Sequence, residues 1–150
     1  MLRISKKSDY AIVALSHLIA TKIPVSAREI ADKYGLSTQM LANVLKMLTN
    51  AGVLKSKRGV TGGYILEKKP EDIFLGEIFD IIEGPVGLSD CTDESKSCGC
   101  EARCPAKNPM LIINQKIKSF VNDLSLEDIL TQKGRDLTKT NFDSMAYQYE

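Results

Sequence analysis

A mostly helical chain with one small β-hairpin is predicted by three features of the sequence. Apolar residues recur at helical spacing through several short segments. One glycine-rich stretch is flanked by two short runs of strand character. A 150-residue length with 43% apolar content is enough to bury a real core.

The first segment, SDYAIVALSHLIATK, has Ser8 as a candidate N-cap and apolar residues at Ala11, Ala14, Leu15 and Leu18, which is helical spacing. Pro24 breaks it. Ser26-Ala27-Arg28-Glu29 has the capping-box pattern and opens a short helix through Tyr34. Gly35 suits the turn that follows, and Ser37 can cap the next helix. There Leu41, Val44, Leu45 and Leu48 share one face, and Gln39, Ala42, Asn43, Lys46 and Asn50 lie opposite. Helix, short helix, tight turn and helix with a polar outer stripe is the layout of a helix-turn-helix.

Ala51-Gly52 ends that helix, and Val53 to Ser56 and Tyr64 to Leu66 can pair as strands around the tip Lys57-Arg58-Gly59-Val60-Thr61-Gly62-Gly63. A hairpin with a basic, glycine-rich tip directly after a helix-turn-helix reads as a wing. Its glycines let backbone approach a phosphate, and Arg58 can reach a narrow minor groove. Alone, the same glycines would only serve a turn. Pro70-Glu71-Asp72 starts another helix, with Leu75, Ile78, Phe79 and Ile82 on one face, ending near Gly84-Pro85. Asn108 to Leu124 forms a long helix in which Met110, Ile113, Ile117, Phe120 and Leu124 make a packing seam for the chain's own core or for a second copy. A dimer is favoured, because paired helix-turn-helix units read paired half-sites. Ser125 caps a last short helix, LEDIL. The fold expected is therefore mostly α with a small β-wing, a winged helix-turn-helix plus a long C-terminal dimerisation helix. Its divisions are a DNA-binding unit at 1–69, a connecting helix at 70–90, a cysteine loop at 91–105, dimerisation helices at 106–132 and a polar tail at 133–150.

Charge is divided. Residues 1–70 hold 12 Lys/Arg against 4 Asp/Glu, and residues 71–150 hold 8 against 15, so a net +1 conceals +8 beside −7. A basic amino-terminal half suggests a polyanionic partner, here double-stranded DNA, although a solvated basic face would have the same composition. No apolar run is long enough to cross a bilayer, and with no signal peptide the chain is expected in the cytoplasm.

All four cysteines, Cys91, Cys98, Cys100 and Cys104, fall in the polar stretch CTDESKSCGCEARCP. Thiolates bunched this tightly usually ligate a metal or an iron–sulfur cluster; two disulfides or an unliganded loop are the alternatives, and disulfides are rare in the cytosol. Structural zinc favours paired C-x2–4-C knuckles, which this spacing lacks, so a zinc-stabilised module is the weaker reading. An enzyme is not expected: there is no C-x-x-C motif, no phosphate loop and no histidine near the cysteines. His17, the only histidine, sits mid-helix among apolar residues and reads as a satisfied core or interface group rather than a ligand.

The opening MLRISKKSDYAIVAL, the wing KRGVTGGYIL, the stretch LGEIFDIIEGP and the cysteine loop before a long helix resemble the Rrf-two type of bacterial winged-helix regulators, over residues 1–131. Members sense clusters, nitric oxide or iron, and the regulators of Suf cluster assembly look most similar. The resemblance implies a homodimeric transcription regulator whose iron–sulfur cluster (2Fe-2S or 4Fe-4S) tunes its grip on promoter DNA, with no small-molecule substrate. It implies Cys91, Cys98 and Cys104 as ligands and leaves Cys100 as a spare thiol or exchange partner. Some members have a histidine three positions after the last cysteine, where this chain has Lys107. In nitric-oxide-sensing members an aspartate near the amino terminus ligates the partner's cluster, and Asp9 matches it; the helix dipole alone would also favour an acid there. For DNA it implies Ser37, Thr38 and Gln39 at phosphates or base edges and Arg58 in the wing, while Ala42 departs from an acidic residue that shapes site choice in one member. The full set of candidate DNA contacts is Arg28, Ser37, Thr38, Gln39, Asn43, Lys46, Lys57, Arg58, Gly59 and Gly62. Tyr64 is expected to pack beneath the wing.

Overall fold

The computed structural model describes residues 4–59, 61–84, 89–92, 98–99 and 103–130. Six helices and one hairpin run in the order α1 (Lys6–Thr21), α2 (Ala27–Tyr34), α3 (Thr38–Asn50), β1 (Leu54–Lys57), β2 (Gly63–Leu66), α4 (Leu75–Glu83), α5 (Lys107–Asn122) and α6 (Leu126–Leu130) among these residues. The mostly helical fold with an antiparallel two-stranded wing is the one expected.

Helix α1 begins earlier than its apolar spacing indicates. Ser5, not Ser8, is its N-cap, accepting from the amides of Lys7 and Ser8 at 3.2 and 3.3 Å. Ser8 is buried inside the first turn, where its hydroxyl donates to Glu83 Oε1 at 2.6 Å, and the Ser5 hydroxyl donates to the same oxygen. These bonds tie the start of α1 to the end of α4. They hold the Glu83 carboxyl below the usual carboxylate range, Ser5 contributing most and Ser8 next. Helix α2 carries the expected capping box: Glu29 N donates to Ser26 Oγ at 3.2 Å and Ser26 N to Glu29 Oε2 at 2.8 Å.

One apolar core gathers the inner faces of α1, α3 and α4. Ala11, Ala14, Leu15 and Leu18 meet Leu41, Val44, Leu45 and Leu48, with Ile30, Ile78 and Ile82 closing the sides. Each fully buried leucine of this set adds about 1.5–3 kcal/mol of transfer free energy. Pro70–Asp72 is a single 3-10 turn rather than the first turn of α4, because Ile73 leaves it in extended conformation. The extension lets the Ile73 carbonyl accept from Leu126 N at 2.8 Å, while Leu75 N donates to the Leu124 carbonyl at 2.8 Å. Leu126 is thereby buried and the end of α5 is fastened to the core. Ser125 caps α6 as expected, exchanging bonds with Asp128.

The rest of α5 lies outside that core. Asn114 is its only buried residue among those described, and Leu111, Ile112, Ile113 and Phe120 are 40–61% exposed. Of the expected seam, Met110, Ile117 and Leu124 are half-buried within the chain, whereas Ile113 and Phe120 face outward.

His17 is a satisfied core histidine. It is buried, with Nδ1 3.1 Å from the Tyr34 hydroxyl and the two rings edge to face at 5.6 Å. Burial lowers its pKa, Lys33 lowers it further and Glu29 opposes both. Neutral His17 is therefore favoured by folding. Its contribution is fully present above the unfolded value near pH 6.5 and is lost as pH falls through that value toward the lower folded one. Between about pH 7 and 5.5, the melting temperature of the native protein should fall further than that of His17→Gln. Parallel curves would contradict this assignment.

Candidate functional site

Helix α3 is built with two faces. Leu41, Val44, Leu45 and Leu48 are buried, while Gln39, Asn43 and Lys46 are exposed on the other side and Thr38 is exposed in the first turn. Ser37 caps it, accepting from Met40 N at 3.4 Å, and is itself exposed. The turn from α2 passes through Gly35 in left-handed conformation (φ 65°), and Leu36 N donates to the Ala31 carbonyl at 2.9 Å. Arg28 lies exposed on α2, 3.8 Å from Asp32, a surface pair too solvated to hold its charge firmly.

The wing hangs from the end of α3, where Val53 N donates to the Leu48 carbonyl at 3.0 Å. Strand β1 pairs with β2 in the register Leu54–Leu66 to Lys57–Gly63. Val25, between α1 and α2, makes a two-way backbone bridge with Tyr64: Val25 N donates at 3.1 Å and Tyr64 N donates back at 2.8 Å. A Cβ on Gly63 would stand about 2.5 Å from the Val25 backbone, and one on Gly62 would collide with the Lys57 carbonyl. Only glycine permits both close approaches. Lys57, Arg58 and Gly59 are exposed there, and Gly62 N closes the turn on the Gly59 carbonyl at 3.0 Å. Val60 lies outside the described residues. Tyr64 is half-buried against the core, as expected.

The cysteine loop is described in part. Cys91, Cys98 and Cys104 are free thiols of intermediate exposure, and Cys100 lies outside the described residues. Cys91 sits in a single 3-10 turn, Asp90–Thr92, that packs against α5, and its Sγ is 3.1 Å from Ser89 Oγ. Cys104 precedes α5, its carbonyl accepting from Lys107 N at 3.3 Å. Three unpaired, accessible thiols suit a soft metal or a cluster by donor chemistry. Among the described residues they do not converge: no three Cys, His, Asp or Glu side chains lie close enough together to hold a metal ion. Asp9 is exposed in the first turn of α1. No helix among the described residues is long and apolar enough to cross a membrane.

Tyr10 was not marked by the sequence pattern. It projects from α1 beside the apolar stripe, and its hydroxyl accepts from Ser37 N at 3.2 Å. No local motif signals a contact between residues 27 positions apart.

The chain matches known proteins along most of its length. A family model described as Rrf2, iron-dependent transcriptional regulator, covers residues 4–132. The HTH-type transcriptional regulator CymR of Bacillus subtilis is 30% identical over 131 residues, which is 85% of this chain and 89% of that protein. The solved structure of CymR, the global cysteine regulator of B. subtilis, has a TM-score of 0.70 at 32% identity, covering 87% of this chain and 97% of its own. The structure of T. potens IscR has a TM-score of 0.66 at 27% identity over 99% of this chain and 94% of its own. These relatives are regulators rather than enzymes. The chain belongs to the Rrf2 family of DNA-binding transcriptional regulators.

Proposed function

We propose that this protein is a homodimer that grips promoter DNA through α3 and the wing, and that an iron–sulfur cluster on Cys91, Cys98 and Cys104 tunes that grip. The observation that carries the DNA reading is the two-faced α3. Its exposed residues Gln39, Asn43 and Lys46 form a polar strip opposite a buried apolar face, with Ser37 and Thr38 exposed at its start, and a basic, glycine-built tip follows. Gln39 has the amide needed to read adenine in the major groove, Lys46 and Lys57 meet phosphates, and Arg58 enters the minor groove. Arg28 on α2, with the backbone at Gly59 and Gly62, completes the phosphate-facing set.

The division of labour follows the chain: residues 1–69 bind DNA, 70–90 connect, 91–105 carry the cluster and 106–132 pair the two copies. When bound, the cluster supplies iron whose oxidation and loss report iron, oxidant or nitric-oxide supply. Asp9 is the fourth ligand proposed, and a carboxylate there leaves its iron more labile than a thiolate would. Genes of cluster assembly are the targets this reading favours. The likeness to CymR supports a second reading, control of cysteine supply, in which the same thiols act without a cluster.

Selection from a pool of random duplexes by the anaerobically purified protein tests the DNA reading. Enrichment of a two-fold symmetric site is expected, and failure to enrich any site would overturn it. The dimer has its own test at the exposed face of α5. Exposed apolar patches of this kind mark interfaces, and Phe120, 61% exposed, is the most exposed large apolar residue of α5 among those described. Phe120→Asp should yield a monomer by sedimentation at micromolar concentration, with helical content unchanged. A variant still dimeric would move the interface elsewhere.

A further inference from the structure

The caps of α2 and α3 are satisfied by different means. In α2 the amide of the N-cap residue Ser26 is taken by the carboxylate of Glu29, three residues on. In α3 the equivalent third position is Met40, whose thioether offers no comparable acceptor. The amide of Ser37 instead donates to the Tyr10 hydroxyl, a group carried by α1. The Tyr10 ring packs against the core, so this hydroxyl is a rigid reference point rather than a mobile surface group. Seven residues along, two helical turns away on the same stripe of α1, His17 bonds the hydroxyl of Tyr34, the last residue of α2. The connection Tyr34-Gly35-Leu36-Ser37 is therefore pinned to α1 at both ends.

We propose that Tyr10 is a positioning residue for DNA recognition, fixing where the first turn of α3 stands by holding the amide of Ser37. Ser37, Thr38 and Gln39 follow directly from that pinned amide, and their bonds to phosphates and base edges tolerate only a few tenths of an ångström of misplacement. The His17–Tyr34 bond holds the opposite end of the turn, so loss of the Tyr10 bond leaves α3 packed on the core but free to shift at its amino-terminal end. This inference rests on the DNA reading above, and the test separates the two.

Tyr10→Phe keeps the ring on the core and removes only the acceptor. Its affinity for the duplex selected by the wild-type protein should fall about three- to tenfold, the effect of one net hydrogen bond. Affinity for a random duplex of equal length should change less than about twofold, because phosphate attraction alone supports it. Amide exchange at Ser37 should accelerate while Leu45 and Leu48 keep their protection. Tyr10→Phe with Met40→Gln, which supplies a capping-box acceptor three residues on, should restore protection of the Ser37 amide and recover the selected-site affinity. Tyr10→Phe that binds both duplexes as the wild type does would overturn this inference alone, and so would a Ser37 amide that exchanges freely in the wild-type protein. A wild-type protein that selects no duplex would overturn the DNA reading and this inference with it.

Discussion

Arg58→Ala is expected to weaken binding to the selected duplex by about 1–3 kcal/mol, roughly 5- to 150-fold, with dimer and fold intact. Arg58 stands exposed at the wing tip, beyond the last paired residue Lys57. Its guanidinium makes no ion pair within 4 Å among the described residues, so removing it exposes no stranded partner in the free protein. The loss then falls on the complex alone. A guanidinium in a narrow groove gains from the concentrated negative potential there. Removing one cation should also lower the salt dependence of binding by about one unit of slope. Unchanged affinity at matched salt would show that the wing does not meet DNA.

Cys104→Ser is expected to abolish the cluster altogether after anaerobic reconstitution, and Cys91→Ser and Cys98→Ser should do the same. One missing thiolate leaves an iron under-ligated, and a serine hydroxyl is a far harder donor. Cys100→Ser should retain a stoichiometric cluster. The three-cysteine pattern of the resemblance takes Cys91, Cys98 and Cys104 and leaves Cys100 outside the set. Asp9→Ala should assemble but lose its cluster faster in air, with water or an added thiol filling the vacated site. A colourless Cys100→Ser would make that thiol the fourth ligand and remove Asp9 from the set.

Much of the fold is legible locally because its caps are local. Ser26 and Glu29 announce α2, Gly35 its end, and Ser37 the start of α3, each through a contact within four residues. The wing is equally open to reading, since Gly59, Gly62 and Gly63 stand where a tight basic tip needs them. What escapes is tertiary. Ser5 rather than Ser8 caps α1, and both hydroxyls meet Glu83, 78 and 75 residues away, a tie that no local pattern announces. Pro70 starts a detached turn because Ile73 must extend to receive the amide of Leu126. The tie from Tyr10 to Ser37 follows no periodicity, since α1 and α3 meet only once the core has formed. Gln39, Asn43 and Lys46 are exposed on α3, and Cys91, Cys98 and Cys104 are of intermediate exposure. Those thiols do not converge among the described residues, and spacing alone does not set convergence, because a ligand set often gathers only when its metal binds.

Iron and inorganic sulfide counts on the anaerobically purified dimer, read with its Mössbauer spectrum, test the central claim most directly. The claim requires a brown protein with iron and sulfide in equal number and spectra of a [2Fe–2S] or [4Fe–4S] centre. A colourless protein carrying stoichiometric zinc and no sulfide would contradict it.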